Sequence, residues 1–185
     1  MQPTMRSTSL LVLVTGLPGT GKTTFAGALA QALGAIHFNS DGIRETLHLR
    51  GHYDEDTKKR VYEQLEKTTA SALLKGEKVV VDATFYKKQL RESYRELADQ
   101  TGSYFFIIEL QADEQVIRQR VSKQRPLTDA DFSVYMDIKR IYEPITEPHL
   151  IIRSDENELD KMVEKTLEWI SRETNLTFDR KVEQT

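Results

Sequence analysis

Residues 10–24 read LLVLVTGLPGTGKTT, an apolar run followed at once by a glycine-rich loop. The run over residues 10–15 has the length and the apolar character of a buried strand. Phe25, Leu29 and Leu33 then recur at the spacing of one helix face, and Gly34 is a typical residue to end a helix. The stretch therefore predicts a strand, a loop and a helix in direct succession.

The loop between that strand and that helix matches the pattern G-x-x-x-x-G-K-[ST] over residues 16–23. Glycines let consecutive backbone N–H groups turn towards one anion, and the helix that follows adds its positive dipole end. We therefore expect a triphosphate site in which Lys22 reaches the β- and γ-phosphates and the Thr23 hydroxyl ligates Mg²⁺. The predicted cofactors are ATP and Mg²⁺, and the predicted nucleotide-binding residues are Gly16, Leu17, Pro18, Gly19, Thr20, Gly21, Lys22, Thr23 and Thr24.

The rest of the chain alternates apolar runs with helical periodicity. Further strand-like runs lie at residues 35–38, 78–81, 104–110 and 149–152, and segments of helical spacing separate them. Strands separated by helices pair in parallel through right-handed crossovers. The pattern predicts an α/β fold, a three-layer sandwich with a five-stranded parallel sheet. With the glycine-rich loop at residues 16–23, this arrangement resembles the P-loop nucleoside triphosphate hydrolase fold, and the resemblance implies a small helical lid. Such sheets bind ligands at the carboxyl ends of their strands.

Length and composition fit one domain. The chain has 185 residues, 26 basic and 29 acidic side chains, a formal net charge of −3 and no cysteine. This balance disfavours a globally basic nucleic-acid binder, and the lack of thiols excludes disulfides, thiolate metal sites and a cysteine nucleophile. The first apolar run is far shorter than the ~20 residues that span a bilayer, so we expect a cytoplasmic protein without a membrane partner. A single domain is expected over residues 1–185, with a core at 9–172, a lid at 118–130 and flexible ends.

Two charged residues follow the second predicted strand, in the segment SDGIR at residues 40–44. Asp41 and Arg44 should therefore emerge at the same edge of the sheet as the phosphate loop. An aspartate there can accept the proton of a hydroxyl that attacks the γ-phosphate, and an arginine one helical turn away can hold an anionic part of the acceptor. The alternative is that Asp41 or Ser40 merely caps the helix that follows.

A further carboxylate, Asp82, ends the third predicted strand at the same rim. In phosphate-loop enzymes an acid at this place orients Mg²⁺ through water or contacts the acceptor. We therefore predict that Asp82 is a water-mediated Mg²⁺ ligand. The residues predicted to contact the acceptor are Arg44, Asp82 and Thr84. A capping or turn role for Asp82 is the alternative.

Basic residues concentrate between positions 118 and 126. Arg120 falls on the apolar face of its predicted helix, and an arginine on an inward face needs an anionic partner. Arg125 precedes a proline, which favours a turn suited to a mobile lid over the γ-phosphate. The predicted catalytic residues are Asp41, Lys22, Arg120 and Arg125.

The four histidines are His37, His48, His52 and His149, which are scattered along the chain. Their spacing is not that of a metal site. We therefore expect surface histidines, or histidines whose hydrogen bonds are satisfied within the fold.

Together these segments resemble the small phosphate-loop kinases, the group that includes polynucleotide 5′-hydroxyl kinase, zeta toxins, chloramphenicol phosphotransferase and gluconate kinase. The resemblance is carried by residues 16–23, 40–44, 53–62, 81–85 and 120–125. It implies that Asp41 is the general base, that Arg44 holds a substrate phosphate and that Arg125 stabilises the transferring phosphoryl group. Arg125 lies one residue further along than in the polynucleotide kinases.

The sequence therefore predicts an ATP-dependent phosphotransferase with an alcohol group as acceptor. The acceptor would be a metabolite or a nucleic-acid 5′-hydroxyl, and no obligate protein partner is implied. Positioning and charge neutralisation would supply most of the rate. The alternative is an ATPase switch that uses the same loop to regulate a partner protein.

Overall fold

The structure is a computed structural model that describes residues 9–49, 51–52, 54–124, 129–174 and 176–178. Strands and helices alternate along the described chain. The strands are β1 (Leu10–Thr15), β2 (Ile36–Asn39), β3 (Val79–Asp82), β4 (Tyr104–Gln111) and β5 (Leu150–Arg153). The helices are α1 (Lys22–Leu33), α2 (Ser40–Thr46), α3 (Glu55–Leu74), α4 (Lys88–Thr101), α5 (Glu114–Gln124), α6 (Asp129–Ile141) and α7 (Leu159–Thr174).

The five strands pair in parallel in the order β2-β3-β1-β4-β5. Strand β1 lies at the centre and is buried along its whole length, which explains its uninterrupted apolar sequence. At the carboxyl ends, Val14 of β1 pairs with Asp82 of β3, and Asp82 pairs with Asn39 of β2. The register therefore brings the loops that follow these three strands to one edge of the sheet.

Helices cover both faces of the sheet. Helices α1 and α7 cover one face, where the buried cluster includes Val12, Phe25 and Ile170. Helices α3 and α4 cover the other face, where the buried cluster includes Leu13, Leu65 and Tyr94. The predicted three-layer α/β architecture is confirmed.

The observed strands extend further towards their carboxyl ends than the apolar runs. Strands β2, β3 and β5 include Asn39, Asp82 and Arg153 as their last residues, and β4 includes Gln111. An apolar pattern stops at the last apolar side chain, whereas backbone pairing continues into the polar residue that follows it. The difference therefore falls at the edge that carries the functional residues.

Helices α5 and α6 are joined by side-chain contacts. The Arg118 guanidinium lies 4.3 Å from the centre of the Phe132 ring, and Lys139 Nζ donates to Glu114 Oε2 at 2.5 Å. Most of α5 and the start of α6 fall within residues 118–130, the region predicted as a lid, and that role stays a prediction. Among the helices that the structure describes, none is both long and apolar enough to cross a membrane.

Candidate active site

The glycine-rich loop after β1 has a backbone that side chains would obstruct. The φ angles are 142° at Gly16, 82° at Gly19 and 88° at Gly21. A Cβ at Gly16 would lie 2.4 Å from the carbonyl oxygen of Leu110, so this position accepts only glycine without a shift of β4. The loop also closes on itself, because Thr20 Oγ1 donates to Leu17 O at 2.9 Å.

Lys22, the first residue of α1, turns its side chain back over this loop. Its Nζ donates to Leu17 O at 3.0 Å, which is its only hydrogen bond within the described part of the chain. Burial lowers the pKa of Lys22 to about 8, and the carboxylates of Asp82 and Asp41 oppose that shift. A desolvated ammonium group beside a helix N-terminus suits a phosphate ligand, so the residues fit the predicted triphosphate.

Thr23 and Asp82 supply oxygen atoms on the α1 side of the loop. Thr23 Oγ1 donates to Asp82 Oδ1 at 3.0 Å, and Asp82 is 3% exposed. Hydroxyl and carboxylate oxygens suit Mg²⁺, which is usually held by one or two protein oxygens together with phosphates and water. Within the described residues no group of three or more histidines or acids could hold a metal ion by itself. The residues therefore fit a Mg²⁺ ion that arrives with its nucleotide.

Asp41 lies on α2 at the same edge, and it does not cap this helix. The N-cap of α2 is Asn39, whose Oδ1 accepts from Gly42 N at 2.5 Å. The alternative in which Asp41 or Ser40 caps this helix is therefore wrong. The side chain of Asp41 is 84% exposed, and its Oδ1 accepts from Arg44 Nη1 at 3.3 Å.

Arg44 differs from Asp41 in its surroundings, because its side chain is only 10% exposed. The charges of both residues act on the buried hydroxyl of Tyr62 from α3. Arg44 therefore lies between α2 and α3, below an exposed carboxylate. This places a largely buried cation and an exposed carboxylate one helical turn apart, close enough to Lys22 for Asp41 to act on its charge.

The loop after β3 carries Thr84 and is held from three sides. Thr15 Oγ1 donates to Thr84 O at 2.7 Å, and Phe85 N donates to the Tyr62 hydroxyl at 3.2 Å. Phe85 adopts a left-handed φ of 45°, and Arg91 Nη1 donates to its carbonyl at 2.9 Å. Thr84 is half-buried in this fixed loop, and its contact with an acceptor stays a prediction.

Arg120 is connected to the phosphate loop through Ser154. Arg120 donates to Ser154 Oγ and Ser154 O, both at 2.9 Å, and Ser154 Oγ donates to Thr20 O at 2.7 Å. We expected an anionic partner for Arg120, and its hydrogen bonds instead go to a hydroxyl and a carbonyl oxygen. These neutral acceptors leave the charge of the guanidinium available to a phosphate. Arg125 lies outside the described residues.

The sequence reasoning missed two residues of the site, His37 and Ser154. His37 Nε2 lies 2.5 Å from Asp82 Oδ2. The expectation of a satisfied histidine was correct, but its partner is a predicted functional residue. The contact of His37 with Asp82 and that of Ser154 with Thr20 join segments that are distant in sequence, so no local sequence pattern predicts them.

The fold and the loop define a protein of the P-loop nucleoside triphosphate hydrolase fold. The chain belongs to the AAA domain family, whose model matches residues 11–145. This membership, together with the relatives below, confirms the resemblance to small phosphate-loop kinases.

Two relatives and one solved structure illustrate the range of similar proteins. An uncharacterized protein of Mycobacterium tuberculosis is 29% identical over an alignment of 132 residues, and the match covers 65% of this chain and 26% of that protein. The chain thus spans about a quarter of that relative. A protein of Aeropyrum pernix named "Probable adenylyl-sulfate kinase" is 26% identical over an alignment of 163 residues, and the match covers 83% of this chain and 88% of that protein.

The solved structure is that of the APS kinase of Mycobacterium tuberculosis in complex with AMPPNP and APS. It has a TM-score of 0.71 and 19% identity, and the match covers 88% of this chain and 98% of that chain. This similarity shows the same fold. The predicted ATP cofactor agrees with the nucleotide analogue held by that structure.

Proposed function

We propose that the protein is an ATP-dependent kinase that transfers the γ-phosphoryl group to a hydroxyl group of an acceptor. The observation that carries this proposal is the contrast between the two aspartates near Lys22. Asp82 is buried and hydrogen-bonded on both oxygens, whereas Asp41 is exposed and bonded only to Arg44 among the described residues. One carboxylate suits a metal-side role, and the other is free to take a proton from a substrate.

In this mechanism the loop N–H groups and Lys22 bind the phosphates. Thr23 would hold Mg²⁺ directly and Asp82 would hold it through water, and the ion would neutralise charge on the β- and γ-phosphates. Asp41 accepts the proton of the acceptor hydroxyl as its oxygen bonds to the γ-phosphorus. The bond from that phosphorus to the bridging oxygen breaks, and ADP leaves with the electron pair.

Two arginines would complete the charge balance. Arg120 already lies next to the phosphate loop through Ser154 and Thr20. The predicted part of Arg125 is the same, to stabilise charge on the transferring group. Arg44 would bind an anionic or polar part of the acceptor from its position beneath Asp41.

Relatives support this reaction class, but their own acceptor does not identify the acceptor of this chain. The Aeropyrum pernix relative is named as a kinase, and the structurally similar APS kinase binds AMPPNP together with a second ligand. We propose an alcohol acceptor, either a metabolite or a nucleic-acid 5′-hydroxyl. An ATPase switch would use the same loop but would need no exposed base beside an arginine, so the pair of Asp41 and Arg44 favours the kinase.

The proposal is tested by incubating the protein with Mg²⁺ and [γ-³²P]ATP and a panel of sugars, nucleosides, aminoglycosides and 5′-hydroxyl oligonucleotides. We expect a labelled product from one acceptor class. With that acceptor, Asp41→Asn should lower kcat by about 10² to 10⁴-fold, because proton abstraction is lost. Glu45→Gln on the same helix is the matched control and should retain the wild-type rate.

ATP hydrolysis that only a partner protein stimulates, without any labelled acceptor, would instead indicate the switch. An Asp41→Asn variant that turns over within a few-fold of wild type would show that the base lies elsewhere. The melting temperatures of both variants exclude a loss of folding.

A further inference from the structure

His37 closes a chain of side-chain hydrogen bonds that begins at the phosphate loop. Thr23 Oγ1 donates to Asp82 Oδ1 at 3.0 Å, and Asp82 Oδ2 lies 2.5 Å from His37 Nε2. The chain crosses from α1 to β3 and then to the edge strand β2. The side chain of Asp82 is only 4% exposed and that of His37 is 20% exposed, so water competes little for the Asp82 carboxylate.

The chemistry of the carboxylate fixes the direction of both bonds. An ionised carboxylate only accepts hydrogen bonds, so Thr23 donates its hydroxyl proton and His37 must carry its proton on Nε2. With its proton engaged by Asp82, the Thr23 oxygen keeps its lone pairs for a cation. Both oxygens of Asp82 are held, so the carboxylate cannot rotate without breaking one bond.

We propose that His37 is a positioning residue that fixes the orientation of Asp82 and, through it, the Mg²⁺-binding face of Thr23. This inference rests on the proposed function, because it concerns the metal side of the same site. His37 contacts neither nucleotide nor acceptor in this role. Without its donor, the buried carboxylate would turn, and the Thr23 hydroxyl would lose its fixed direction.

A purely structural histidine would have a different signature. Its loss would weaken the pairing of β2 with β3 and lower stability, but it would not change how Mg²⁺ affects nucleotide binding. The positioning role instead predicts a change in the coupling between Mg²⁺ and nucleotide, since contacts that orient metal ligands typically change metal affinity by about 10 to 100-fold. The two roles are therefore separated by measuring binding with and without the metal.

The experiment is calorimetric titration of the full chain with AMPPNP, in Mg²⁺ and in EDTA. We expect His37→Leu to reduce the tightening by Mg²⁺ by about tenfold or more, while the affinity in EDTA stays within about twofold of wild type. His37→Gln should restore most of the tightening, because its amide can donate to Asp82 at a similar reach. His52→Ala, at an exposed histidine, is the matched control and should behave as wild type.

Retention of the full Mg²⁺ effect by His37→Leu overturns the inference and leaves the proposed function standing. A wild-type protein that does not bind AMPPNP overturns the proposed function itself. The nitrogen spectrum of the wild-type imidazole gives a second reading that needs no variant. A proton on Nε2 supports the role, and a proton on Nδ1 alone overturns it, because Nε2 could not then donate to Asp82.

Discussion

Lys22 holds a charged group in a place where burial disfavours the charge. Desolvation lowers the pKa of Lys22 to about 8. The charged ammonium group therefore lowers the free energy of unfolding of the nucleotide-free protein at neutral pH. We predict that Lys22→Met raises the melting temperature of the nucleotide-free protein and abolishes detectable AMPPNP binding. Scanning calorimetry and titration calorimetry measure the two effects.

Lys161→Met is the control for this prediction, because Lys161 is an exposed lysine on α7 that pairs with Glu164. It should change neither property appreciably. A fall in melting temperature for Lys22→Met, of the size seen on loss of a buried contact, would mean that the lysine is a structural residue. A rise in melting temperature together with a loss of AMPPNP binding would show that Lys22 is a functional residue.

Single residues also show where sequence reasoning reaches its limit. Asn39, Ser40 and Asp41 can all cap a helix, and only the backbone geometry selects Asn39. The role of His37 depends on the pairing of β2 with β3, which brings it to a residue 45 positions away. The phosphate loop could be predicted because all of its chemistry lies in one short segment.

At the scale of elements, the phosphate loop passes so close to β4 that position 16 has no room for a side chain. We predict that Gly16→Ala lowers the free energy of unfolding by about 3 kcal/mol or more, because the new Cβ would overlap the Leu110 carbonyl oxygen. Gly34→Ala is the control, with a left-handed φ of 60° and open space around the position, and should cost about 1 kcal/mol. Urea unfolding measures both, and equal losses would contradict the close approach.

Arg91 of α4 joins the loop after β3 to the segment that follows α6. It is 1% exposed and donates to Phe85 O at 2.9 Å and to Pro144 O at 3.1 Å. We predict that Arg91→Lys costs about 1 to 3 kcal/mol, because the shorter lysine has one nitrogen in place of Nη1 and Nη2, and a carbonyl left out of its reach is unsatisfied.

The midpoint of urea unfolding tests this prediction. Arg172→Lys on α7, where the arginine side chain is 74% exposed, should stay within about 0.5 kcal/mol of wild type. Equal midpoints for the two variants would mean that the bonds of Arg91 contribute nothing to stability.

Apolar periodicity predicts the strands and helices, but it does not predict the polar side-chain contacts between them. Helix α5 was predicted from its spacing, and Asp113 accepts from Gln115 N at its start as a cap should. Arg120 of this helix donates to Ser154, a residue that belongs to no recognisable sequence motif. Periodicity reports which face is buried but not which polar group lies opposite.

At the scale of the whole molecule, α5 is coupled to the phosphate loop through Arg120, Ser154 and Thr20. We predict that AMPPNP with Mg²⁺ slows amide exchange in α5 and α6, because a phosphate would draw the Arg120 guanidinium towards the loop. Exchange measured by mass spectrometry would show this as added protection in peptides from both helices. Peptides from the outer turns of α7 serve as the reference and should not change.

Identical exchange of α5 with and without nucleotide would remove the lid from the mechanism. An Arg120→Lys variant sharpens the test, since the shorter lysine has one nitrogen in place of the two that bond Ser154 Oγ and Ser154 O. Its α5 should exchange faster than wild type in the free protein.

Strand β3 alternates between the two helix layers, so Val81 faces α3 and α4 whereas Val80 and Asp82 face α1. A one-residue insertion or deletion within β3 would therefore carry the carboxylate through the sheet to the opposite layer. A substitution in β3 would change one side chain near the site, whereas an insertion or deletion would remove the Asp82 carboxylate from the site altogether. We expect an added residue to be tolerated instead in turns such as Gly102–Ser103, because an insertion there leaves the parity of the strands unchanged.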